Sequence, residues 1–262
     1  MEVGSEKSQI GLENHSHNER MWKQHMIRNN FTLDGQSTES FSVGISGYQV
    51  YNSSERDVET FHIPHRSGDL ISDNKCFMNR RIVYNCWLAH TFKQDFDDFR
   101  DFLMSKSDKY YWLEDTYHPA HKYLARIAGA LEPSVKVMHR VGEFDIVFDA
   151  KPQRFRKTGL VWMSAGTITN PTRHECFPVL EITGTGTVTV NEQTIKINVG
   201  APAGKLLFDC ETMNAVVETD EANIVANKYV EAPLEQISLH KGSNLIGATG
   251  CTVRVQPRWY DL

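Results

Sequence analysis

The sequence predicts a mainly β protein of two domains, and three observations carry this prediction. From Phe31 onward the dominant hydrophobic period is two residues, as in "ESFSVGISGY" (39–48), where Phe41, Val43 and Ile45 alternate with small polar residues. One segment, "HTFKQDFDDFRDFLMSKS" (90–107), instead shows a helical period. After about residue 166 short Thr/Val/Ile strands follow one another with tight polar turns and no helix, which is typical of a small antiparallel sandwich.

The domain limits follow from changes in composition and in hydrophobic period along the sequence. Residues 1–25 are polar and show no strand or helix period, which indicates an N-terminal extension. A change falls near "KTGLVWMSAGTITNPTRHE". We therefore predict one β domain over residues 26–165 and a second over residues 166–262.

The single helix is predicted from an apolar stripe at positions i, i+4, i+7 and i+11. The stripe consists of Phe92, Phe96, Phe99 and Leu103. Thr91 and Gln94 form a plausible capping box at the start of the helix. We expect this stripe to cover a sheet, so its phenylalanines are core residues.

Bulk composition limits the function classes. The 262 residues carry a formal charge of −5, which argues against a dedicated nucleic-acid binder. No run has the length of a transmembrane helix and the first residues lack the apolar core of a signal peptide, so we expect folding in a cytoplasm and no membrane insertion. The five cysteines are spread out without a C-x-x-C pair, which indicates buried free thiols.

The most chemically suggestive stretch is "KYYWLEDTYHPAHKYLARI", which brings Glu114, Asp115, His118 and His121 within eight residues. Such groups could bind a metal or transfer protons. However, Pro119 interrupts any helix that would align them, and on a strand they point to opposite faces. We predict a structural turn between two strands, no catalytic or metal site, and no cofactor.

The stretch "FHIPHRSGDL" contains His65, Arg66, Ser67 and Asp69. Ser67 does not lie in a G-x-S-x-G elbow, so a nucleophile is disfavoured. A turn with Gly68 at positive φ, anchored by Arg66 and Asp69, is the better interpretation.

Two further segments are interpreted structurally. The basic run "KPQRFRK", with Lys151 and Arg154, is expected to be a strand end near the domain junction and not a nucleic-acid contact. "GTGTV" (184–188) lacks the dinucleotide-binding pattern and is expected to be a hairpin turn.

Taken together, these segments resemble the distal tail protein family of siphophages. The resemblance spans residues 26–262 and rests on an ordered set of motifs: "FTLDG" (31–35), "IPHRSGDLISDN" (63–74), "FMNRRIVYNC" (77–86), "FRDFLMS" (99–105), "YYWLEDTYHP" (110–119), "GEFDIVFDAKPQRF" (142–155), "NPT" (170–172), "DCETMNA" (209–215) and "PRWYDL" (257–262). The chain departs from the family pattern at His65, where glycine is usual, at Ala150, where cysteine is common, and at Tyr260, where the family has tryptophan.

The resemblance implies a fold and a set of partners. The N-terminal domain would be a ring-forming β-sandwich or split-barrel-like domain with one helix, and the C-terminal domain a galectin-like β-sandwich. Six copies would form a hub at the virion tail tip between the tail tube, the tail-tip protein and receptor-binding or other baseplate proteins. DNA would pass through the lumen without specific binding.

In a hub of this kind several polar residues would position loops and neighbouring subunits and would not bind substrates. These residues are His65, Arg66, Asp69, Glu114, Asp115, His118, Pro119, Lys151 and Arg154.

An alternative function is carbohydrate binding by the C-terminal sandwich. Sugar sites stack the ligand on exposed aromatic rings. The aromatic candidates for such a contact are Tyr229, Trp259 and Tyr260.

Overall fold

The computed structural model divides the chain into two compact units, Met1–Pro152 and Gln153–Leu262. The division falls earlier than the sequence boundary at 165/166, within one long strand. The structure describes residues 29–47, 52–89, 92–136, 141–198, 204–218 and 223–262. In that part of the chain no helix is long and apolar enough to cross a membrane.

In its described residues the N-terminal unit contains ten strands and one helix, α1, over Phe92–Met104. Its strands are β1 (Phe31–Leu33), β2 (Gln36–Ser37), β3 (Val43–Ser46), β4 (Arg56–Phe61), β5 (Leu70–Phe77), β6 (Arg80–Ala89), β7 (Tyr111–Asp115), β8 (His121–Ile127), β9 (Ser134–Lys136) and β10 (Val141–Arg156), the last continuing into the second unit.

One large sheet organises this unit, in the order β2-β1-β7-β8-β10-β6-β3, with β9 also paired to β10. The long strands β6 and β10 run antiparallel through its centre, and Tyr84 lies opposite Ile146. Alternate residues of these strands point inward as the period-two pattern predicts, because successive side chains on a strand face opposite sides. The sheet curls around one core, so of the two architectures considered for this domain the split barrel fits better than two stacked layers.

Helix α1 covers this core with three residues of the predicted stripe, and the fourth, Phe92, lies outside the described side chains. Phe96, Phe99 and Leu103 are buried and belong to the same cluster as the inward residues of β6 and β10. Phe41, expected on a strand, lies instead in a 3-10 turn (Thr38–Phe41) and packs against Phe99 with ring centroids 5.4 Å apart. The predicted capping box lies outside the described side chains.

The C-terminal unit contains two antiparallel sheets, with strand orders β11-β21-β13-β16-β17-β18 and β12-β20-β14-β15-β19. The strands of this unit are β11 (Met163–Ser164), β12 (Gly166–Asn170), β13 (Val179–Thr183), β14 (Gly186–Val190), β15 (Gln193–Ile197), β16 (Lys205–Asp209), β17 (Asn214–Glu218), β18 (Asn223–Val225), β19 (Val230–Glu231), β20 (Gly242–Thr249), β21 (Thr252–Gln256) and β22 (Tyr260–Asp261). The last strand, β22, pairs with the end of β10 at Arg154 and Phe155.

Both sheets contribute to a single core, which makes this unit the predicted antiparallel sandwich. Leu180 and Phe208 come from one sheet, and Val188 and Ile246 from the other. The hairpin predicted at 184–188 is wrong, because β13 and β14 belong to different sheets and the turn between them carries the chain from one sheet to the other.

The cysteines are free, and their burial is mixed. Cys86, Cys176 and Cys210 are buried as expected, and burial raises the pKa of each thiol above its usual value. Cys76, in contrast, is exposed on β5. Its side chain projects from a hairpin that has no core beneath it.

Candidate functional site

The acidic and histidine cluster forms a turn between two strands, as predicted. Strand β7 ends at Asp115 and β8 begins at His121. Asp115 is 6% exposed, and its carboxylate accepts hydrogen bonds from the Tyr84 hydroxyl and from the His118 backbone N–H, both at 2.6 Å. Its Oδ1 also lies 3.1 Å from His118 Nδ1. Asp115 therefore closes the turn and anchors it to β6.

The surroundings of Asp115 favour a structural role. Burial raises the pKa of the Tyr84 phenol well above its usual range, and the charge of Asp115 raises it further, so the hydroxyl remains a hydrogen-bond donor. Glu114 points to the other face of the strand and binds Lys122 at 2.7 Å. Pro119 is exposed in the turn. In the described part of the chain no three metal-binding side chains come together.

Replacing Asp115 by alanine is expected to lower the free energy of unfolding by about 2–3 kcal/mol, since the buried Tyr84 hydroxyl and the partly buried His118 N–H lose their acceptor. Chemical denaturation of the full chain measures this loss. The matched control is Glu114→Ala, which removes a half-exposed ion pair and should cost at most about 1 kcal/mol. Equal losses in the two variants would contradict the anchoring role.

The most unusual feature of the N-terminal unit is the hairpin of β4 and β5, which we call the hairpin arm (56–77). Within the described residues these two strands pair only with each other. The core cluster of the unit includes no residue from either strand. A two-stranded hairpin is at best marginally stable alone in water, so the hairpin arm is expected to be covered in its working state.

Apolar side chains lie on both faces of the hairpin arm. Residues directly opposite each other in a ladder share a face, and Phe61 lies opposite Leu70 while Thr60 lies opposite Ile71. Phe61 and Leu70 thus occupy one face, and Ile71 the other, together with Val58. All four side chains are 40–64% exposed. A hairpin that served only as a solvated loop would not need apolar residues on both sides.

The base of the hairpin arm is fixed to the unit. The Met78 N–H donates to the Glu55 carbonyl at 2.8 Å, which closes the base. Arg80 is buried beside it and donates to the carbonyls of Asn52 and Pro152, both at 3.3 Å, with its guanidinium over the Tyr123 ring. The direction in which the hairpin arm leaves the sheet is therefore held by buried contacts.

The arm is also stiffened along its length. Arg56 binds Asp73 through two hydrogen bonds of 2.9 and 2.6 Å and lies over the Phe77 ring at 4.7 Å. The Arg56 guanidinium lowers the pKa of the Asp73 carboxyl, and the Lys75 backbone N–H lowers it further. Such an ion pair adds little stability in water but fixes geometry.

The tip of the hairpin arm carries the predicted turn residues. Gly68 has φ +81°, as the turn interpretation requires, and His65 has φ +63°. Arg66 and Asp69 are both exposed there, and Asp69 lies 3.1 Å from His62 Nδ1. The sequence analysis identified this turn but not the apolar strands that carry it. The available signal was that Val58 and Phe61 on one strand, and the adjacent Leu70 and Ile71 on the other, place apolar residues on both faces.

The remaining predicted residues lie elsewhere. Lys151 lies 5.7 Å from the Tyr110 ring, and Arg154 is on the part of β10 that pairs with β22. Trp259 is 2% exposed and belongs to the sandwich core, so it is not available for sugar stacking and this part of the prediction is corrected. Tyr229 and Tyr260 are half-buried, and Tyr260 stacks on His174 at 5.5 Å.

Comparison with solved structures shows a shared fold. The chain is similar to the SPP1 Dit (gp 19.1) protein, described as a paradigm of the hub adsorption apparatus in phages that infect Gram-positive bacteria, with 12% identity, a TM-score of 0.60, and coverage of 87% of this chain and 97% of that chain. It is also similar to a chain of the phage P2 baseplate in its activated conformation with Ca, with 10% identity, a TM-score of 0.53, and coverage of 87% and 98%. No family model matches the sequence, and no curated protein does. The predicted resemblance to distal tail proteins is thus confirmed at the level of the fold.

Proposed function

We propose that this chain is a structural, non-catalytic protein of a phage tail tip. Six copies form a ring that joins the tail tube to the tail-tip protein and to the receptor-binding apparatus. The observation that carries the proposal is the hairpin arm, an anchored projection with apolar residues on both faces and no partner strand among the described residues of its own chain. A protein built to assemble needs such a surface, and a monomeric binding module does not.

The fold supports this role. The similar chains come from a hub protein and a baseplate, and the likeness covers almost the whole length of each of them. Fold alone does not set function. The hairpin arm adds an observation from this chain's own residues, and it points to the same class of role.

Ring closure would use a heterologous contact. In such a contact one surface of each copy binds a different surface of the next, and the assembly closes only if the rotation between copies suits it. The hairpin arm would be the projecting half of this contact. With six copies at −5 the ring carries a formal charge of −30 (6 × 5 = 30), which is compatible with a lumen that lets DNA pass without binding it.

Solution mass tests the proposal directly. Light scattering after gel filtration should give about 179 kDa for six chains of 29.9 kDa, and negative-stain images should show rings. The double variant Phe61→Ser/Ile71→Ser should lower the mass, because it removes one exposed apolar residue from each face of the hairpin arm.

The control for this variant is Val161→Ser/Leu245→Ser, which removes two equally exposed apolar side chains of the other unit. It should leave the mass unchanged. A single-chain mass for the unaltered protein, both alone and with its tail-tip partner, would overturn the ring. Rings that persist in the Phe61→Ser/Ile71→Ser variant would remove the hairpin arm from the contact.

A further inference from the structure

The C-terminal unit has a strand edge that is left open over part of its length. Strand β15 pairs with β14 along all five of its residues, but β19 covers only Lys196 and Ile197 on the other side. Just beyond them, the Asn198 N–H donates to the Tyr229 carbonyl at 2.8 Å. Alternate residues of a strand present their backbone groups to the same edge, so Thr194 also faces this side. The described residues provide no strand opposite it.

This open edge forms one wall of a groove of about 660 Å³. The facing wall is the segment 232–235, in which Leu234 is fully exposed. Glu192, Glu231 and Glu235 line the groove against a single cation, Lys196. An open strand edge, an apolar side chain and a negative rim together suit an extended peptide with apolar and cationic residues, which would bind by adding a strand.

The chain itself contains a segment with this chemistry. Residues 20–28, "RMWKQHMIR", carry three cations and no acid, together with two methionines, a tryptophan and an isoleucine. They directly precede the described part of the chain, which begins at Asn29. Their formal charge of +3 complements the groove, where three glutamates and one lysine give −2 (−3 + 1 = −2).

We propose that the groove binds residues 20–28 of a second copy, which pair with the open edge at Thr194. The proposed ring enters this inference only as the reason that a second copy is near. The N-terminal segment would then link neighbouring copies in addition to the hairpin arm. The three cations of residues 20–28 would match the negative charge of the groove.

The test measures binding of a fluorescent peptide, RMWKQHMIR, to the full chain by anisotropy. Two proteins serve as hosts for the peptide. The first host is the unaltered protein. The second host carries Arg20→Gln/Lys23→Gln/Arg28→Gln, so that its own residues 20–28 compete less with the peptide for the groove. The peptide is expected to bind both hosts saturably and the second more tightly. A peptide whose three cations are replaced by glutamine is expected to bind at least about tenfold more weakly.

Two groove variants, made in the second host, separate charge from strand pairing. Glu192→Gln/Glu231→Gln/Glu235→Gln removes the negative charge of the groove, and the glutamine at 231 still offers an oxygen that accepts the hydrogen bond from Asn198. Thr194→Pro removes the backbone N–H at the open edge without changing any charge. Each should weaken binding at least about tenfold, whereas Glu218→Gln, an exposed acid on β17, should not. Circular dichroism checks that each variant is folded.

Two outcomes would overturn the inference. Absence of saturable binding to the second host would remove the groove as a peptide site. The second outcome is that the peptide binds the second host but does not bind the unaltered protein when that protein is diluted to single chains. Each chain would then fill its own groove with its own residues 20–28, which overturns the role of the second copy. Neither result depends on the ring, because peptide binding and solution mass are read separately.

Discussion

Replacing Gly159 by alanine is expected to destabilise the C-terminal unit by about 3 kcal/mol or more, the upper part of the range for overpacking. A Cβ at this position would lie 2.3 Å from the Trp259 backbone nitrogen and 2.7 Å from its Cβ. The close approach is set by main chain, since the Arg258 N–H donates to the Gly159 carbonyl at 2.7 Å. Backbone held in this way cannot rotate out of the contact.

Gly44→Ala provides the matched comparison. A Cβ there would lie 2.8 Å from the Trp87 ring, which is also too close, but the obstacle is the far part of a half-buried side chain that can turn aside. We expect a loss of about 1 kcal/mol or less for Gly44→Ala. Urea denaturation followed by tryptophan fluorescence measures both losses. A Gly159→Ala protein as stable as Gly44→Ala would show that the 157–160 turn and the C-terminal segment are not held together.

The period-two segments and the helical stripe were sufficient to predict most of the fold. Strands β6 and β10 bury alternate residues because each has one face on the core, and this arrangement leaves a periodic pattern in the sequence. The 115–121 turn was predicted from Pro119, because proline blocks the helix that would have aligned the histidines. Local chemistry determined each of these features, so local sequence revealed them.

Features fixed by distant contacts were not predictable in this way. The contacts place 153–165 with the C-terminal unit, where Arg156 binds Asp261 through hydrogen bonds of 2.7 and 2.8 Å. The residues near Arg156 in the sequence do not indicate that its partner is Asp261, more than one hundred residues away. The turn at 184–185 similarly has the composition of a hairpin, and only the pairing of β13 with β16 shows that it connects two sheets.

The candidate site was predicted only in part, for a related reason. His65, Arg66 and Asp69 were singled out from the turn chemistry of their segment, and they lie at the tip of the hairpin arm. The surface that we propose for assembly includes Phe61 and Ile71, which are exposed because no core residue packs against them in the described part of the chain. Apolar strand residues normally indicate a core, so their sequence alone places them inside the protein.

Replacing Phe99 by alanine is expected to destabilise the N-terminal unit by about 3–5 kcal/mol, the range for truncating a buried phenylalanine. Phe99 is fully buried on α1 and contacts Phe41 at 5.4 Å and Phe144 at 5.9 Å between ring centroids. It therefore joins the helix to the 3-10 turn and to β10. Among the described residues, α1 is the element that packs on this part of the core, and no second sheet does. The cavity left by the ring is therefore expected to be filled poorly.

Asp101→Ala is the control, since its side chain is 80% exposed on the same helix and its nearest ion-pair partner, Arg100, is 3.8 Å away. It should change the stability by no more than about 0.5 kcal/mol. Calorimetry of the full chain should show that Phe99→Ala lowers the transition of one unit and leaves the other in place. A loss below about 1 kcal/mol would mean that α1 does not seal the core, and that the stripe at 92–103 is buried against something other than the sheet.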